Sequence, residues 1–189
     1  MCNRFRNEIP YDEYRAAFSS RRIPVRWPEA APNLEPCDIR PTDRAPVIRQ
    51  AAEGVEFAQL RWGFAPARPK AGPVINFRSE GRRFSHGRCL VPASCFYEFT
   101  GTSRPKTMWR FSPVREPWFC FAGIWRPGAS GDAFTLLTTS PGEDVRPFHD
   151  RQMVIIAPAD WHAWLSFRKP EEELLRPLPP GSLAVEQVR

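Results

Sequence analysis

Apolar residues recur along this chain in short runs that predict strands rather than long helices. The runs lie at residues 55–62, 107–111, 118–124, 133–138 and 153–157, and Gly, Pro or Ser bounds each of them. Runs of this length, rich in aromatic and branched aliphatic residues, are typical of β-strands. The apolar pattern therefore predicts a molecule built mainly from strands.

Three helices are predicted between and after these runs. The first covers residues 11–18, the second residues 158–167 and the third residues 170–176. Pro158 suits the first turn of the second helix, and acidic residues 171–173 favour the start of the third. Because strands predominate and no regular helices separate them, the predicted fold class is α+β with a largely antiparallel sheet.

Length and composition predict one globular domain spanning residues 1–189. No apolar run approaches the length of a membrane span, and the first residues lack the apolar core of a signal peptide, so we expect a cytoplasmic protein. The five cysteines are odd in number and form no C-x-x-C pair. This pattern argues against a disulfide framework and against a zinc site, and we expect no metal or other cofactor.

Positive charge is concentrated in the middle of the chain. Residues 61–110 hold ten Lys or Arg and only two acidic residues, Glu80 and Glu98, and the whole chain carries a formal charge of +6. Most of the basic residues are arginines, whose planar donors suit phosphate. The charge favours a nucleic-acid partner, with an ordinary solvated face as the alternative. We expect this segment to be mostly loop, where sites tend to lie.

Cys2 directly follows Met1. Removal of Met1 would leave an α-amine of pKa roughly 8 and a thiol of pKa roughly 8.5 on adjacent carbons, so both nucleophiles would be partly available near neutrality. An amine and a thiol at this spacing can close a five-membered ring on an aldehyde, which no internal cysteine can do. The alternative is a cysteine at a frayed terminus with no role.

Glu98 stands in an aromatic stretch with Phe96, Tyr97 and Phe99. In an extended strand, Phe96 and Glu98 share one face, while Tyr97 and Phe99 share the other. A carboxylate among aromatic rings is partly desolvated, which raises its pKa towards the range useful for acid–base catalysis. The alternative is a surface glutamate on a strand edge.

Asn76 and Arg78 are two residues apart, so on an extended segment they point the same way. Together they can hold one phosphate, because the guanidinium and the amide both donate hydrogen bonds. Arg4 is a candidate third member of this group, and Trp62 is a candidate for stacking on a base. For each of these residues the alternative is an ordinary surface or core role.

His149 follows Pro147 and Phe148 and comes just before the apolar run at 153–157. An imidazole at such a junction between loop and strand is a candidate acid or base. A structural role is the alternative.

These motifs occur together and in one order. They are Met-Cys-x-Arg at 1–4, Trp-Gly-Phe-Ala-Pro at 62–66, Asn-x-Arg-x-Glu at 76–80, the aromatic-flanked Glu98, and His-Asp-Arg at 149–151. Each is weak alone, but the set resembles the SRAP family of SOS-response-associated peptidases or abasic-site processing proteins, over nearly the whole chain.

The resemblance implies a strand-rich pseudo-barrel with flanking helices and an active site in a positively charged groove. It further implies a protein that binds single-stranded DNA at an abasic site and links to it covalently, shielding the lesion during the DNA damage response. After loss of Met1, the Cys2 amine would form a Schiff base with the ring-opened sugar, and the thiol would close a thiazolidine. The expected protein is a monomer that joins the nucleoid when bound to DNA.

The resemblance also assigns roles to individual residues. Glu98 would position the Cys2 amine and move protons, and His149 would act as acid or base on the sugar hydroxyl. The implied catalytic set is Cys2, Asn76, Glu98 and His149, and the implied DNA-binding set is Arg4, Trp62, Asn76 and Arg78.

Two other functions stay open. The first is a cysteine-type autopeptidase that removes Met1, and the second is a non-covalent binder of single-stranded DNA. Departures from the family pattern, such as Asn3 where Gly is usual and Phe77 where a small residue is usual, leave the preferred lesion context open.

Overall fold

The computed structural model describes residues 3–66, 68 and 70–189. Within these residues the chain forms two mostly antiparallel sheets and a few short helices, which confirms the predicted strand-rich α+β class. The helices are α1 (Tyr11–Ser20), α2 (Trp161–Leu165), which a 3₁₀ turn at Pro158–Asp160 precedes, and α3 (Glu171–Leu174). The strands are β1 (Phe5–Asn7), β2 (Val25–Arg26), β3 (Cys37–Ile39), β4 (Arg44–Ala51), β5 (Gly54–Trp62), β6 (Asn76–Arg78), β7 (Arg88–Ala93), β8 (Cys95–Thr100), β9 (Thr107–Pro113), β10 (Phe119–Arg126), β11 (Ala133–Thr139), β12 (Gln152–Met153), β13 (Ile155–Ile156) and β14 (Leu183–Gln187).

The larger sheet curls into a ring. Its strands follow the order β12-β11-β10-β7-β4-β5-β2, and β5 also pairs with β11 in parallel. The pairing of β5 with β11 closes β11, β10, β7, β4 and β5 on themselves, which is the pseudo-barrel expected from the resemblance. β6 adds to this sheet by pairing in parallel with β11.

The smaller sheet has the order β14-β9-β8-β1-β3 and packs against the ring. Aromatic side chains from both sheets fill the space between them. Phe96 and Phe111 stack at 4.8 Å between ring centroids, and Phe5 lies 5.1 Å from Trp62 and 5.8 Å from Phe121. We call this the first core. Full burial of each such ring is worth about 1.5–3 kcal/mol, so the first core fixes how the two sheets meet.

The helices cover the outer side of the larger sheet and form a second core. Pro10 precedes α1, and acidic residues in its first turn favour the helix start. Tyr14 and Phe18 are four residues apart, so they lie on one face of α1, and both are buried. Phe18 stacks on Trp161 of α2 at 4.8 Å. The helix predicted at residues 11–18 is thus confirmed and extends to Ser20.

One prediction about local structure is incomplete and one is wrong. Strands cover fewer than half of the described residues in the basic segment 61–110, which is mostly loop as predicted, but the segment also contains β6, β7 and β8, which were not predicted. The run at 153–157 is not one strand, because Val154 separates β12, which pairs with β11, from β13, which pairs with β10. This run is apolar throughout because residues 152–156 are all buried.

In the part of the chain that the structure describes, no helix has the length and apolar character needed to cross a membrane.

Candidate active site

The N-terminal end of β1 lies beside β8. Phe5 pairs with Phe96, and the Tyr97 N–H donates to the Arg4 carbonyl at 3.1 Å, so the pairing continues to Arg4. In this antiparallel register the residue before Arg4 approaches Glu98. The beginning of the described chain therefore runs towards the aromatic stretch that the sequence singled out.

Glu98 is buried in β8, with 3% of its surface exposed. Its direct cross-strand neighbour on β9 is Trp109, whose ring lies 4.7 Å from that of Phe148. The Phe148 ring also meets Phe111, the cross-strand neighbour of Phe96. Phe96 and Glu98 therefore share a face of the smaller sheet, as predicted. The alternative of a surface glutamate is excluded by this burial.

His149 follows Phe148 directly, so packing of Phe148 on Trp109 brings the imidazole towards the strand that carries Glu98. The backbone N–H of Arg151 donates to His149 Nδ1 at 3.0 Å, and the Asp150 carboxylate lies 2.8 Å from the same nitrogen. An amide N–H can only donate, so in the neutral ring Nδ1 is the acceptor and Nε2 carries the proton. The exposed Asp150 side chain is free to turn away, whereas the amide is held by the loop.

Burial lowers the pKa of His149 from its ordinary value of 6.5, and the neighbouring Asp150 offsets only part of this effect. The imidazole is therefore mainly neutral near neutral pH. A neutral ring with its proton on Nε2 is suited to donate a hydrogen bond from that atom.

Asn76 and Arg78 are the first and last residues of β6, and they point away from Phe77. Phe77 packs against the second core, as does Leu137, its neighbour on β11. The neighbour of Asn76 is Leu136, which belongs to the first core. Asn76 thus faces the junction between the sheets, and Arg78 lies exposed two residues further on.

One ion pair ties β6 to the loop that carries His149. Arg151 and Glu80 form a two-pronged contact, with Arg151 Nη2 2.8 Å from Glu80 Oε2 and Nη1 close to the other oxygen. Arg151 Nη2 also donates to Thr138 Oγ1 at 3.1 Å, and Thr138 is the β11 neighbour of Arg78. The hydrogen bonds from Arg151 lower the pKa of Glu80, so this carboxylate is ionised at neutral pH. Neither Glu80 nor Arg151 is among the predicted site residues, although both belong to the motifs at 76–80 and 149–151.

Arg4 lies at the edge of this group and pairs with Asp38. Arg4 Nε donates to the Asp38 carboxylate at 2.9 Å, and the guanidinium carbon lies 5.1 Å from the centre of the Tyr97 ring. Burial works to raise the pKa of Asp38, but hydrogen bonds from Arg4 and Arg6 outweigh it, and the pKa falls below its usual value. The charge of Arg4 is therefore partly balanced within the protein.

The prediction that Trp62 stacks on a base is wrong. Trp62 is fully buried, and its Nε1 donates to the Ile75 carbonyl at 2.9 Å. Gly63 follows with φ +110°, where a Cβ atom would stand 2.9 Å from Pro73 Cβ. The Trp-Gly motif therefore closes the chain onto the segment leading into β6, so Trp62 supports Asn76 from within the first core.

Cys2 lies outside the described residues, so its role as the nucleophile stays a prediction. Among the residues that the structure does describe, no cluster of three or more His, Cys, Asp or Glu side chains is arranged to hold a metal ion.

Comparison with known proteins identifies the relatives of this chain. It is 26% identical over 196 residues to the abasic site processing protein YoaM of Bacillus subtilis, covering 94% of this chain and 85% of that protein. It is 26% identical over 197 residues to YoqW of Bacillus subtilis, also named an abasic site processing protein, covering 94% and 86% of the two chains. A crystal structure of a protein from Bordetella bronchiseptica superposes with a TM-score of 0.75 at 25% identity, and both chains are covered fully. The profile of the SOS response associated peptidase (SRAP) family matches residues 1–189, and the chain therefore belongs to that family.

Proposed function

We propose that this protein processes abasic sites in single-stranded DNA by linking itself covalently to them through Cys2, once Met1 has been removed. The observation that carries the proposal is the pairing of β1 with β8, because it directs the beginning of the described chain, at Asn3, towards the buried Glu98. Membership of the SRAP family and the names of the relatives support abasic sites as the target.

The chemistry needs only groups that the chain and the lesion supply. The ring-opened abasic sugar presents an aldehyde. The neutral α-amine of Cys2 adds to it and water leaves, which gives a Schiff base. The thiol then adds across the C=N bond, with sulfur bonding to carbon and the proton passing to nitrogen, and a thiazolidine results. No oxidant or reductant is required.

Glu98 is proposed to hold the Cys2 amine and to carry protons during loss of water. Its burial beside Trp109 keeps bulk water away from the carboxyl group, so protons would pass between this group and the reacting atoms rather than to solvent.

His149 is proposed to assist ring opening at the sugar hydroxyl. Its lowered pKa keeps the ring neutral, and the Arg151 amide holds Nδ1 as an acceptor. The proton on Nε2 is then the one available to the sugar oxygen.

Asn76 and Arg78 are proposed to bind the phosphate next to the lesion. They lie on one side of β6, and Arg78 is exposed to solvent. A guanidinium and an amide can donate to the same phosphate, which would place the sugar in register with Cys2. Arg4, which is paired with Asp38, is proposed to add a weaker contact.

Intact mass and adduct formation test this proposal together. Protein whose mass shows loss of Met1 is incubated with single-stranded DNA carrying one abasic site, and heat-stable adducts are resolved in SDS. Cys2→Ala is expected to abolish the adduct. Cys37→Ala is the matched control, because Cys37 is an exposed free cysteine in β3, and it should leave the yield unchanged.

A Cys2→Ala protein that forms the same heat-stable adduct would overturn the role of Cys2. Equal, salt-sensitive binding to intact and abasic strands without any adduct would favour the non-covalent binder instead.

A further inference from the structure

A basic cleft lies at the N-terminal approach to β6, outside the group of residues described above. It has a volume of about 760 Å³ and is lined by Arg61, Gly63, Phe64, Arg126, Gly128 and Gly131, among others. None of the described residues that line it is acidic. Two guanidinium groups in a cleft without carboxylates create a positive potential that attracts anions.

The two arginines share one face of the larger sheet. Arg61 of β5 and Arg126 of β10 both pair with Ala133 of β11, one on each side of it. Cross-strand neighbours point to the same face, and adjacent strands are about 4.8 Å apart, so their Cα atoms are roughly 10 Å from each other. The next residue pair, Trp62 and Phe134, points into the first core. Arg61 and Arg126 therefore point away from that core.

Contacts within the protein hold both guanidinium groups in place. The Arg126 guanidinium carbon lies 4.1 Å from the centre of the Phe64 ring, and Arg61 Nη1 donates to the Gly63 carbonyl at 3.0 Å. Arg126 also covers the ring of Phe64, so that ring is not open for a base to stack on. The opposite wall, residues 127–131, consists of small side chains and proline. The cleft is thus suited to binding the phosphate backbone of a nucleic acid rather than to recognising a base.

The cleft is adjacent to Asn76. Phe64 and Val74 exchange two backbone hydrogen bonds of 3.1 and 3.0 Å, and Val74 stands two residues before Asn76. Arg78 lies at the other end of β6. From Val74 to Arg78 the chain extends at most about 13 Å, which is a few nucleotides of a strand. The arginines of the cleft and the side chains of Asn76 and Arg78 point to opposite faces of the larger sheet, because their partners on β11, Ala133 and Leu136, are three residues apart. A DNA strand that contacts both must therefore pass around the chain beside the bridge between Phe64 and Val74.

We propose that this cleft binds the phosphate backbone of the DNA strand on one side of the abasic site. This inference rests on the proposed function. It defines the substrate more closely. The DNA strand continues from the lesion across the cleft, and we call the part of the strand on each side of the lesion an arm. A strand that lacks the arm on the side of the cleft is a weaker ligand. Phosphate is the ligand that paired guanidinium groups match in geometry and charge.

Binding is measured with strands that carry a tetrahydrofuran abasic analogue, which has no aldehyde and so separates binding from crosslinking. Arg126→Gln is expected to weaken binding and to reduce the slope of log K against log salt by about 0.7, the value for one phosphate contact on a single strand. Arg126→Lys keeps the charge and should keep most of the slope. Arg115→Gln is the matched control, because Arg115 is exposed and lines a different cleft that also holds Glu116.

The strand is then shortened on one side of the analogue at a time. The loss of affinity caused by Arg126→Gln is expected to disappear when one of the two arms is removed and to persist when the other is removed. An unchanged salt slope for Arg126→Gln, or a loss of affinity that persists with both shortened strands, would overturn the proposal. The two proposals can fail separately. If no adduct forms through Cys2, but binding of the tetrahydrofuran strand still depends on Arg126 and on one arm, the role of the cleft is supported and the covalent function is contradicted.

Discussion

Two arginine–glutamate pairs join segments far apart in the sequence, and they differ in how far water reaches them. Arg88 and Glu171 are 83 residues apart, and their side chains are 4% and 10% exposed. Arg151 and Glu80 are 71 residues apart, and the exposed fractions are 12% and 45%. The first pair fastens β7 to α3 within the second core. The second pair fastens β6 to the loop of His149.

The surroundings of the two pairs explain why they have different consequences. Glu171 also accepts the Phe84 N–H at 2.7 Å, and the Arg88 guanidinium lies 4.5 Å from the centres of the Trp164 and Phe167 rings. A charge enclosed in this way depends on its partner to remain charged. We call the Arg88–Glu171 pair the enclosed pair and the Arg151–Glu80 pair the open pair. In the open pair, water can replace Glu80 at little cost in free energy, so breaking this pair should change the position of the His149 loop more than the stability of the protein.

Breaking the enclosed pair is the largest change we expect. Arg88→Met leaves the Glu171 carboxylate buried without its main counter-charge and should lower the free energy of unfolding by about 3–5 kcal/mol. Lys169→Met is the control, because it breaks the exposed pair of Lys169 with Asp160 and should cost less than about 1 kcal/mol. Urea denaturation followed by circular dichroism measures both. Equal decreases in the free energy of unfolding for the two variants would mean that burial of an ion pair does not determine the cost of breaking it.

Breaking the open pair should affect the site while the fold stays intact. Glu80→Gln is expected to change the free energy of unfolding by less than about 1 kcal/mol. It should slow adduct formation about tenfold, because Arg151 then no longer anchors the loop that orients His149, and a displacement of 1 Å can cost about a hundredfold. ¹⁵N NMR should also show the His149 ring losing its preference for a proton on Nε2.

Asp160→Asn, which removes a carboxylate from the pair with Lys169, is the control for this measurement. A Glu80→Gln protein with an unchanged rate and an unchanged His149 tautomer would show that the pair does not position the imidazole.

The smallest expected effect is the pH response of His149. Its folded pKa lies below 6.5, so the unfolded chain binds more protons as the pH falls through 6.5, and stability declines there. As the pH falls from 7.5 to 5, the wild type should therefore lose stability relative to His149→Gln. The loss should be less than about 1 kcal/mol, because the ring is partly solvated. A ¹H NMR titration midpoint above 6.5 would reverse the sign.

The sequence predicted the elements whose apolar periodicity is strong. The helix α1 and the strands β5, β9, β10 and β11 lie where expected. It missed β7 and β8 within the basic segment, because the prediction followed the net charge of the whole segment, although residues 89–97 carry no charge. Arg88 is an example: it reads as a surface charge, yet Glu171 and aromatic rings from the distant C-terminal segment enclose it.

For the site, prediction worked where the signal was local. The shared face of Phe96 and Glu98 follows from strand alternation, and so does the opposed direction of Phe77 and Asn76. The error at Trp62 arose because a motif does not reveal which face of a strand is enclosed. The pairing of Glu80 with Arg151 joins residues 71 positions apart, and no periodicity within either segment indicates it.

The position of β11 has a consequence for folding kinetics. This strand pairs with β10, β12, β5 and β6, and the last two pairings are parallel and join residues more than fifty positions apart. Closing such long loops has a high entropic cost and is slow, so β6 can take its place only after β11 has docked. Asn76 and Arg78 should then acquire native order late, in the same step that closes the ring, and partly folded chains would carry an incomplete site.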